Sequence, residues 1–290
     1  ADRHGLIYLD RGRLGVEAGA LSFVCAGGGG TPPGDYVIPH QSISLVLLGP
    51  GGSVSQDALR LLARHGAGLA AVGEDGVRCY TAQPLTPDFS HLARRQATLW
   101  ADEEKGRMQV ARRMYALRLG EVLPHRDIAV LRGIEGARVK ETYRLVAGRI
   151  GVAWNGRRYD RADPTAADLP NQALNHVASA VEGAAAIAVA ATATIPQLGF
   201  IHEDSGQSFV LDVADLFRDD VTVPTAFRAA KAARADPRLA IERLARRMAG
   251  EALRKRGVIA AMIDRIKTLF EDEARAAAAP PRARAGPAEP

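Results

Sequence analysis

Short apolar runs broken by glycine and proline clusters open the chain. Residues 6–9, 21–24 and 44–48 carry strand-like apolar stretches. Residues 27–34 (GGGGTPPG) read as a flexible loop, and 49–52 (GPGG) as a turn. Ser53 or Ser55 can cap a short helix carrying Leu59, Leu62 and Ala63, which Gly66 would end. Two further strands are expected at 69–72 and 77–80, with 73–76 (GEDG) turning between them. From Ser90 the period lengthens to about 3.6 residues. Leu92, Leu99, Trp100, Val110, Ala111, Met114, Tyr115 and Leu117 fall on helical spacing, with Arg and Glu opposite them. Helical patterning runs on to about residue 272.

The pattern predicts an α+β multidomain protein: an N-terminal β-rich domain over 1–82, a linker over 83–89 and an all-α domain over 90–273. The segment 83–87 (QPLTP) reads as linker, and the low-complexity tail 274–290 is expected to be disordered. No internal repeat is visible.

At 290 residues, 47% hydrophobic and 24% charged, the composition is that of a globular chain and excludes disorder throughout. Two cysteines, Cys25 and Cys79, exclude a disulfide scaffold and a four-thiolate zinc site within the chain. No signal peptide opens the sequence, and no apolar stretch reaches the roughly 18 residues of a membrane span, the nearest being 183–195. The expectation is a soluble, cytoplasmic protein with no membrane partner.

Charge narrows the partners. Of 38 basic residues, 33 are arginine. Arginine suits bidentate phosphate contact, so nucleic acid is a permitted partner; GC-rich codon usage would inflate Arg and Ala in the same way. The excess is localised: residues 1–85 hold six basic and seven acidic side chains, residues 86–275 hold 30 and 25.

Three places could carry chemistry. Glu135 lies between two glycines in 132–138 (RGIEGAR), near the start of a helical pattern that includes Leu145, Val146 and Ile150. A helical glycine costs about 1 kcal/mol against alanine, so two beside a carboxylate suggest a bulky group approaching the backbone. A solvated Glu near a helix start, favoured by the dipole, reads equally simply. His202 follows an apolar run in 198–203 (LGFIHE), where a packed or surface histidine is the plain alternative. Asp212 and Asp215 stand three apart among Val210, Leu211, Val213, Leu216 and Phe217, so they share a helix face in a buried segment. Two such carboxylates need a cation, either Arg218 or a bound metal. One imidazole with two or three carboxylates is a hard-ligand set that suits Mg²⁺ or Mn²⁺. In a basic helical region it points to phosphodiester chemistry. Arg157 and Arg158 beside Tyr159, and the cluster Arg243, Arg246, Arg247, Arg254, Lys255 and Arg256, can supply phosphate contacts. Asn171 and Asn175 could brace a ligand helix, with helix capping by Asn171 the simpler reading.

The strings RGIEGARV (132–139), WNGRRYD (154–160), LGFIHE (198–203) and SFVLDVADLF (208–217) occur in an order and spacing that resemble the CRISPR-associated spacer integrases, the Cas family numbered one, in their subtype I-E form. The resemblance runs from about residue 3 to 272. It implies a β-rich domain followed by a helical catalytic domain, and a homodimer. Two such dimers would flank a dimer of the small ferredoxin-like partner, the Cas family numbered two, in a heterohexamer on double-stranded DNA. It implies Glu135, His202 and Asp215 as metal ligands for Mg²⁺ or Mn²⁺, with Asp212 as an auxiliary ligand or a residue behind the ligands. The implied reaction is attack of a 3′-hydroxyl on a phosphodiester, a transesterification that inserts a short duplex into a repeat array, with possible endonuclease activity. Arg78 and Arg243 match basic positions of the family and Tyr159 an aromatic near its pocket; Arg138, Arg157, Arg158 and Arg247 complete the expected DNA contacts. Arg11 and Val181-Glu182 depart from the pattern, standing where relatives carry aromatics. The alternatives are a metal nuclease that only hydrolyses branched DNA and a non-catalytic DNA-binding scaffold.

Overall fold

The computed structural model describes residues 5–27, 31–82, 90–125, 127–158, 167–203 and 205–270. The expected linker 83–89 and tail 274–290 lie outside the described residues, as does Tyr159.

The N-terminal part runs β1 (Gly5–Leu9), β2 (Gly12–Glu17), β3 (Ala20–Cys25), β4 (Gly34–Ile38), β5 (Ile43–Leu48), β6 (Ser53–Val54), α1 (Gln56–Arg64), β7 (Gly68–Val72) and β8 (Cys79–Ala82). These strands form two four-stranded sheets, ordered β1-β5-β7-β8 and β4-β3-β2-β6. β1, β5 and β7 are parallel, with β8 antiparallel at the edge. The apolar run of β5 is explained by burial on both faces. Val46 and Leu48 pack with Leu14, Leu21 and Leu62, while Leu45 and Leu47 meet Ile187 from the helical part. Ser55 caps α1, its Oγ accepting from the Ala58 N–H at 3.2 Å, and Gly66 follows with φ +64°.

β2 and β4 escape the sequence pattern. Each contains glycine and buries a single residue, Leu14 and Ile38, so neither shows a readable alternation. The expected strand at 77–80 starts instead at Cys79. Residues 74–76 form a 3₁₀ turn, and Val77 is diverted into the helical core.

The helical part comprises α2 (Ser90–Ala101), α3 (Gly106–Leu119), α4 (Ile128–Ile150), α5 (Leu169–Ala191), α6 (Ser208–Asp215), a π-helical turn (Arg218–Thr222), α7 (Val223–Ala235), α8 (Ile241–Lys255) and α9 (Val258–Phe270). α5 is the axle, packing against α6, α7, α8 and α9. Its small face, Ala173, Ala180, Ala184, Ala185 and Ala188, is fully buried and lets neighbours approach closely. This corrects the expectation that no stretch is long and apolar enough to span a membrane: α5 is, by length and composition. Most of it is buried within the protein, as befits a central core helix.

The two parts meet where the 74–78 turn rests on α5 and α8. A Cβ at Gly183 would stand 2.9 Å from Arg78 Cα and 3.0 Å from the Val77 carbonyl oxygen, and one at Gly250 would stand 2.9 Å from Asp75 Cβ. Arg254 pairs with Asp75 across the same junction. Gly183→Leu is expected to cost about 1–3 kcal/mol through overpacking. A thermal denaturation midpoint equal to wild type would contradict this packing.

Candidate active site and nucleic-acid interface

α4 starts cleanly because the Asp127 carboxylate accepts from the Ala129 N–H at 2.8 Å. Arg132 and Glu135, three apart, then share a face. Among the described residues a Cβ at Gly133 or Gly136 would meet nothing within 4 Å, leaving the helix beside Glu135 uncovered by them.

The segment before α6 is held from α2. Gln96, fully buried, donates from Nε2 to the carbonyls of Ile195 and Leu198, both at 2.9 Å, and accepts from the Ile195 N–H at 2.7 Å. Trp100 Nε1 donates to the Gly199 carbonyl at 3.0 Å. Asp212, buried on α6, gathers the rest: Oδ2 accepts from the N–H groups of Phe200 (2.6 Å) and Ile201 (3.1 Å), and Oδ1 from the His202 N–H (3.0 Å). His202 Nδ1 lies 2.7 Å from the same Oδ1. An ionised carboxylate only accepts, so Nδ1 carries the proton and Nε2 keeps its lone pair. The hydrogen bond to Asp212 raises the His202 pKa above the ordinary histidine value, against the opposing effect of burial. Asp212 therefore offers no exposed oxygen, its side chain being wholly buried.

Asp215, one turn later, points elsewhere and pairs with Arg218. Arg118, from the last turn of α3, pairs with Glu135 and stands 3.7 Å from Asp215 and 3.8 Å from Asp219. Its side chain is only 5% exposed, and its Nε and Nη2, like Asp219 Oδ1, are buried without hydrogen-bond partners among the described residues. Burial pushes the Asp219 carboxyl up, with Arg118 and Arg218 pulling the other way. Glu182 on α5 is likewise raised, by burial and then by the negative charge of Asp215.

Arg132, Glu135, His202, Glu203, Asp215 and Arg218 line one open cleft of about 550 Å³. Glu135, His202 and Asp215 thus come together from three separate segments. Among the described residues no three His, Cys, Asp or Glu side chains are gathered closely enough to hold a metal ion, because Arg118 stands between the two carboxylates and Arg218 on one of them. The donor chemistry nevertheless fits a hard divalent cation: the carboxylates of Glu135, Glu203 and Asp215 and the imidazole of His202 line the cleft.

Sequence reasoning missed Arg118, Arg132 and Asp219. Arg118 was legible only as an arginine inside the apolar run 117–119, which reads as one more polar-face residue of α3.

The expected phosphate-binding residues separate into two places and one pair. Arg78, Arg243 and Arg247 come together with Arg246 and the exposed Tyr80 in a groove of about 640 Å³ between the turn after β7 and α8. Arg157 and Arg158 lie in the turn after α4. Arg157 Nη1 donates to Asn171 Oδ1 (3.1 Å) and Nη2 to Asn175 Oδ1 (2.6 Å), while the Arg158 N–H donates to Asn171 Oδ1 (2.9 Å). Asn171 is therefore not the cap of α5. Asp168 is, accepting the Asn171 N–H at 3.0 Å, and the two asparagines hold the arginine turn instead. Arg138 pairs with Glu121 at the protein surface.

Fold and site together describe a two-part α+β protein whose helical part carries an acid–imidazole cleft flanked by arginines. The family described as CRISPR associated protein Cas1 matches residues 115–256, a span holding Glu135, His202, Asp212, Asp215 and Arg243. The CRISPR-associated endonuclease Cas1 of Escherichia coli (strain K12) is 40% identical over 231 residues, 79% of this chain and 74% of that protein. That of Geobacter sulfurreducens is 37% identical over 271 residues, 93% of this chain and 85% of that protein. Among solved structures, the TtCas1–DNA complex superposes with a TM-score of 0.82 at 34% identity, covering 93% of this chain and 98% of that one. A casposase bound to its integration product shares the fold, at a TM-score of 0.65 and 13% identity. The chain belongs to the Cas1 family of CRISPR-associated endonucleases.

Proposed function

We propose that this chain is the integrase subunit of a subtype I-E CRISPR adaptation complex, working in the cytoplasm. In this reading two homodimers flank a dimer of the small ferredoxin-like Cas2 subunit on double-stranded DNA. The observation that carries the reading is the convergence of Glu135, His202 and Asp215 on one cleft, with arginines on its rim.

The 3′-hydroxyl oxygen of a captured duplex forms a new bond to a phosphorus at the repeat boundary. The bond from that phosphorus to the repeat strand's 3′-oxygen breaks, and the departing oxygen regains the proton the hydroxyl loses. Phosphodiester count is unchanged, so no ATP is needed. Glu135, Asp215 and His202 Nε2 would hold Mg²⁺ or Mn²⁺, which when bound polarises the phosphate and offsets charge on the attacking and leaving oxygens. Asp212 acts as a positioning residue: it fixes the His202 tautomer and ties residues 200–202 to α6. Arg132 and Arg218, on the cleft wall, orient the phosphodiester. Water in place of the hydroxyl gives hydrolysis at the same site, in keeping with the name endonuclease that relatives carry.

A duplex ending in 3′-hydroxyl compared with the same duplex ending in 3′-deoxy separates the two chemistries. Joined product from the first and not the second is expected. Equal strand cleavage in both, without joining, would favour a hydrolase.

Two further outcomes follow. Protonation of His202 Nε2 removes its lone pair, and its pKa is held above the ordinary value of about 6.5. Proton and cation compete for that lone pair, so joining should fall on the acid side and the midpoint should move to lower pH as cation concentration rises; an acid limb indifferent to cation concentration would contradict the assignment. Arg78→Ala and Arg243→Ala should each weaken duplex binding about 3–10-fold and lower the slope of log K against log salt by about 1, since each removes one phosphate contact. An unchanged slope would place the duplex off the groove.

A further inference from the structure

The arginines around the carboxylates suggest how the cleft acquires its cation. Glu135 and Asp215 bring two negative charges to the cleft, and Arg118 and Arg218 bring two positive ones against them. The two arginines are not alike. Arg218 is 36% exposed and can turn toward another anion. Arg118 is 5% exposed, reaches in from a different helix, and faces three carboxylates at once, Glu135, Asp215 and Asp219. Among the described residues two of its nitrogens are buried with no hydrogen-bond partner, a costly arrangement for a residue that only braces a core. A fixed cation within 4 Å of the donor oxygens repels a second cation there.

We propose that Arg118 is a built-in counter-charge that makes divalent-cation loading of the cleft depend on DNA. The proposal rests on the reading of Glu135, His202 and Asp215 as the cation's ligands. With Arg118 and Arg218 in place, the free protein presents little net negative charge to a cation. An arriving phosphodiester adds a negative charge and gives Arg218 a partner other than Asp215. Asp215 is thereby released, while Arg118 stays behind Glu135. Cation and DNA then bind cooperatively, and by linkage the cation tightens DNA as much as DNA tightens the cation. The protein so avoids carrying a loaded nuclease site away from its substrate. Arg118 is a positioning residue in this scheme and does not touch the reacting atoms.

The test is Mn²⁺ titration of the full-length chain by electron paramagnetic resonance, with and without a short duplex. The component lost in Glu135→Gln counts as the cleft's own. Wild type is expected to gain at least about tenfold in Mn²⁺ affinity when duplex is present. Arg118→Met is expected to bind Mn²⁺ at least about tenfold tighter than wild type without DNA, and to gain less from duplex than wild type does, since only the Arg218 charge is left for the phosphodiester to offset. A brace would give the opposite, weaker binding on its removal. Arg118→Met binding no tighter than wild type, with an unchanged circular dichroism spectrum, overturns the proposal. Equal wild-type affinity with and without duplex overturns it without any variant, should Arg118→Met fail to fold. Mn²⁺ binding unaffected by Glu135→Gln in every state would instead overturn the ligand assignment on which the proposal stands.

Discussion

Glu135→Gln will lower strand joining by roughly 10³-fold or more while leaving duplex affinity, measured without divalent cation, within about threefold of wild type. The substitution keeps the side chain's size and hydrogen-bonding reach and removes only its charge. Glu135 is half-buried on α4, and its carboxylate faces Arg118 and the open cleft. The groove holding Arg78, Arg243 and Arg247 belongs to a different part of the surface, between the turn after β7 and α8. Binding and chemistry are therefore carried by separate residues, and a loss confined to chemistry is the signature expected. Stability should fall by less than Asp212→Ala costs, since the amide oxygen still accepts from Arg118 and Asp215 and Asp219 remain within 4 Å of that guanidinium. A gel-shift titration in a metal chelator beside a joining assay in Mg²⁺ or Mn²⁺ measures both quantities on one preparation. Duplex affinity falling in step with joining would mean that Glu135 acts through DNA binding, contrary to its assigned role.

Asp212→Ala has the second large effect, and a different signature. The wholly buried carboxylate accepts three backbone N–H groups, from Phe200, Ile201 and His202, and the His202 Nδ1–H. Alanine leaves those donors without an acceptor, and each buried donor left unsatisfied costs about 1–3 kcal/mol. Relaxation of the 200–202 segment toward solvent recovers part of that. A net loss of about 3–5 kcal/mol is expected, together with loss of joining, because His202 loses its tautomer lock. The pair separates two roles that look alike in the sequence: Glu135→Gln silences chemistry at the smaller cost in stability, Asp212→Ala destabilises the protein and silences chemistry with it. A chemical denaturation midpoint within error of wild type for Asp212→Ala would contradict the network described.

The sequence pattern exposed most of the fold for identifiable reasons. β5 announces itself because both its faces are buried, and α1 because Ser55 and Gly66 bound an amphipathic turn. The switch to a helical period at Ser90 matches the start of α2. β2 and β4 were hidden because each contains glycine and buries one residue, so neither carries a readable alternation even though both pair with the neighbouring β3. α5 was underestimated as a long apolar element because its burial depends on alanines, whose spacing carries little hydrophobic contrast.

At the site, Glu135, His202 and Asp215 were legible as residue types of the right chemistry, but their meeting was not, since 80 residues of chain separate the first from the last. The pairing of Asp212 and Asp215 on one helix face suggested twin ligands. Their division of labour, one toward backbone N–H groups and one toward the cleft, appears only once the 200–202 segment is folded over α6. Arg118 illustrates the limit: a helix-end arginine in an apolar run is ordinary until α4 and α6 bring carboxylates to it.

The central claim is that this cleft joins DNA strands, and label transfer tests it most directly. The purified chain would be mixed with its small partner subunit, a short duplex labelled at its ends, and a supercoiled plasmid carrying the repeat, in Mg²⁺ or Mn²⁺, beside a His202→Ala control. Label covalently joined to plasmid by wild type and absent with His202→Ala is the predicted result. Free label beside cut plasmid, or equal joining by the variant, would contradict it.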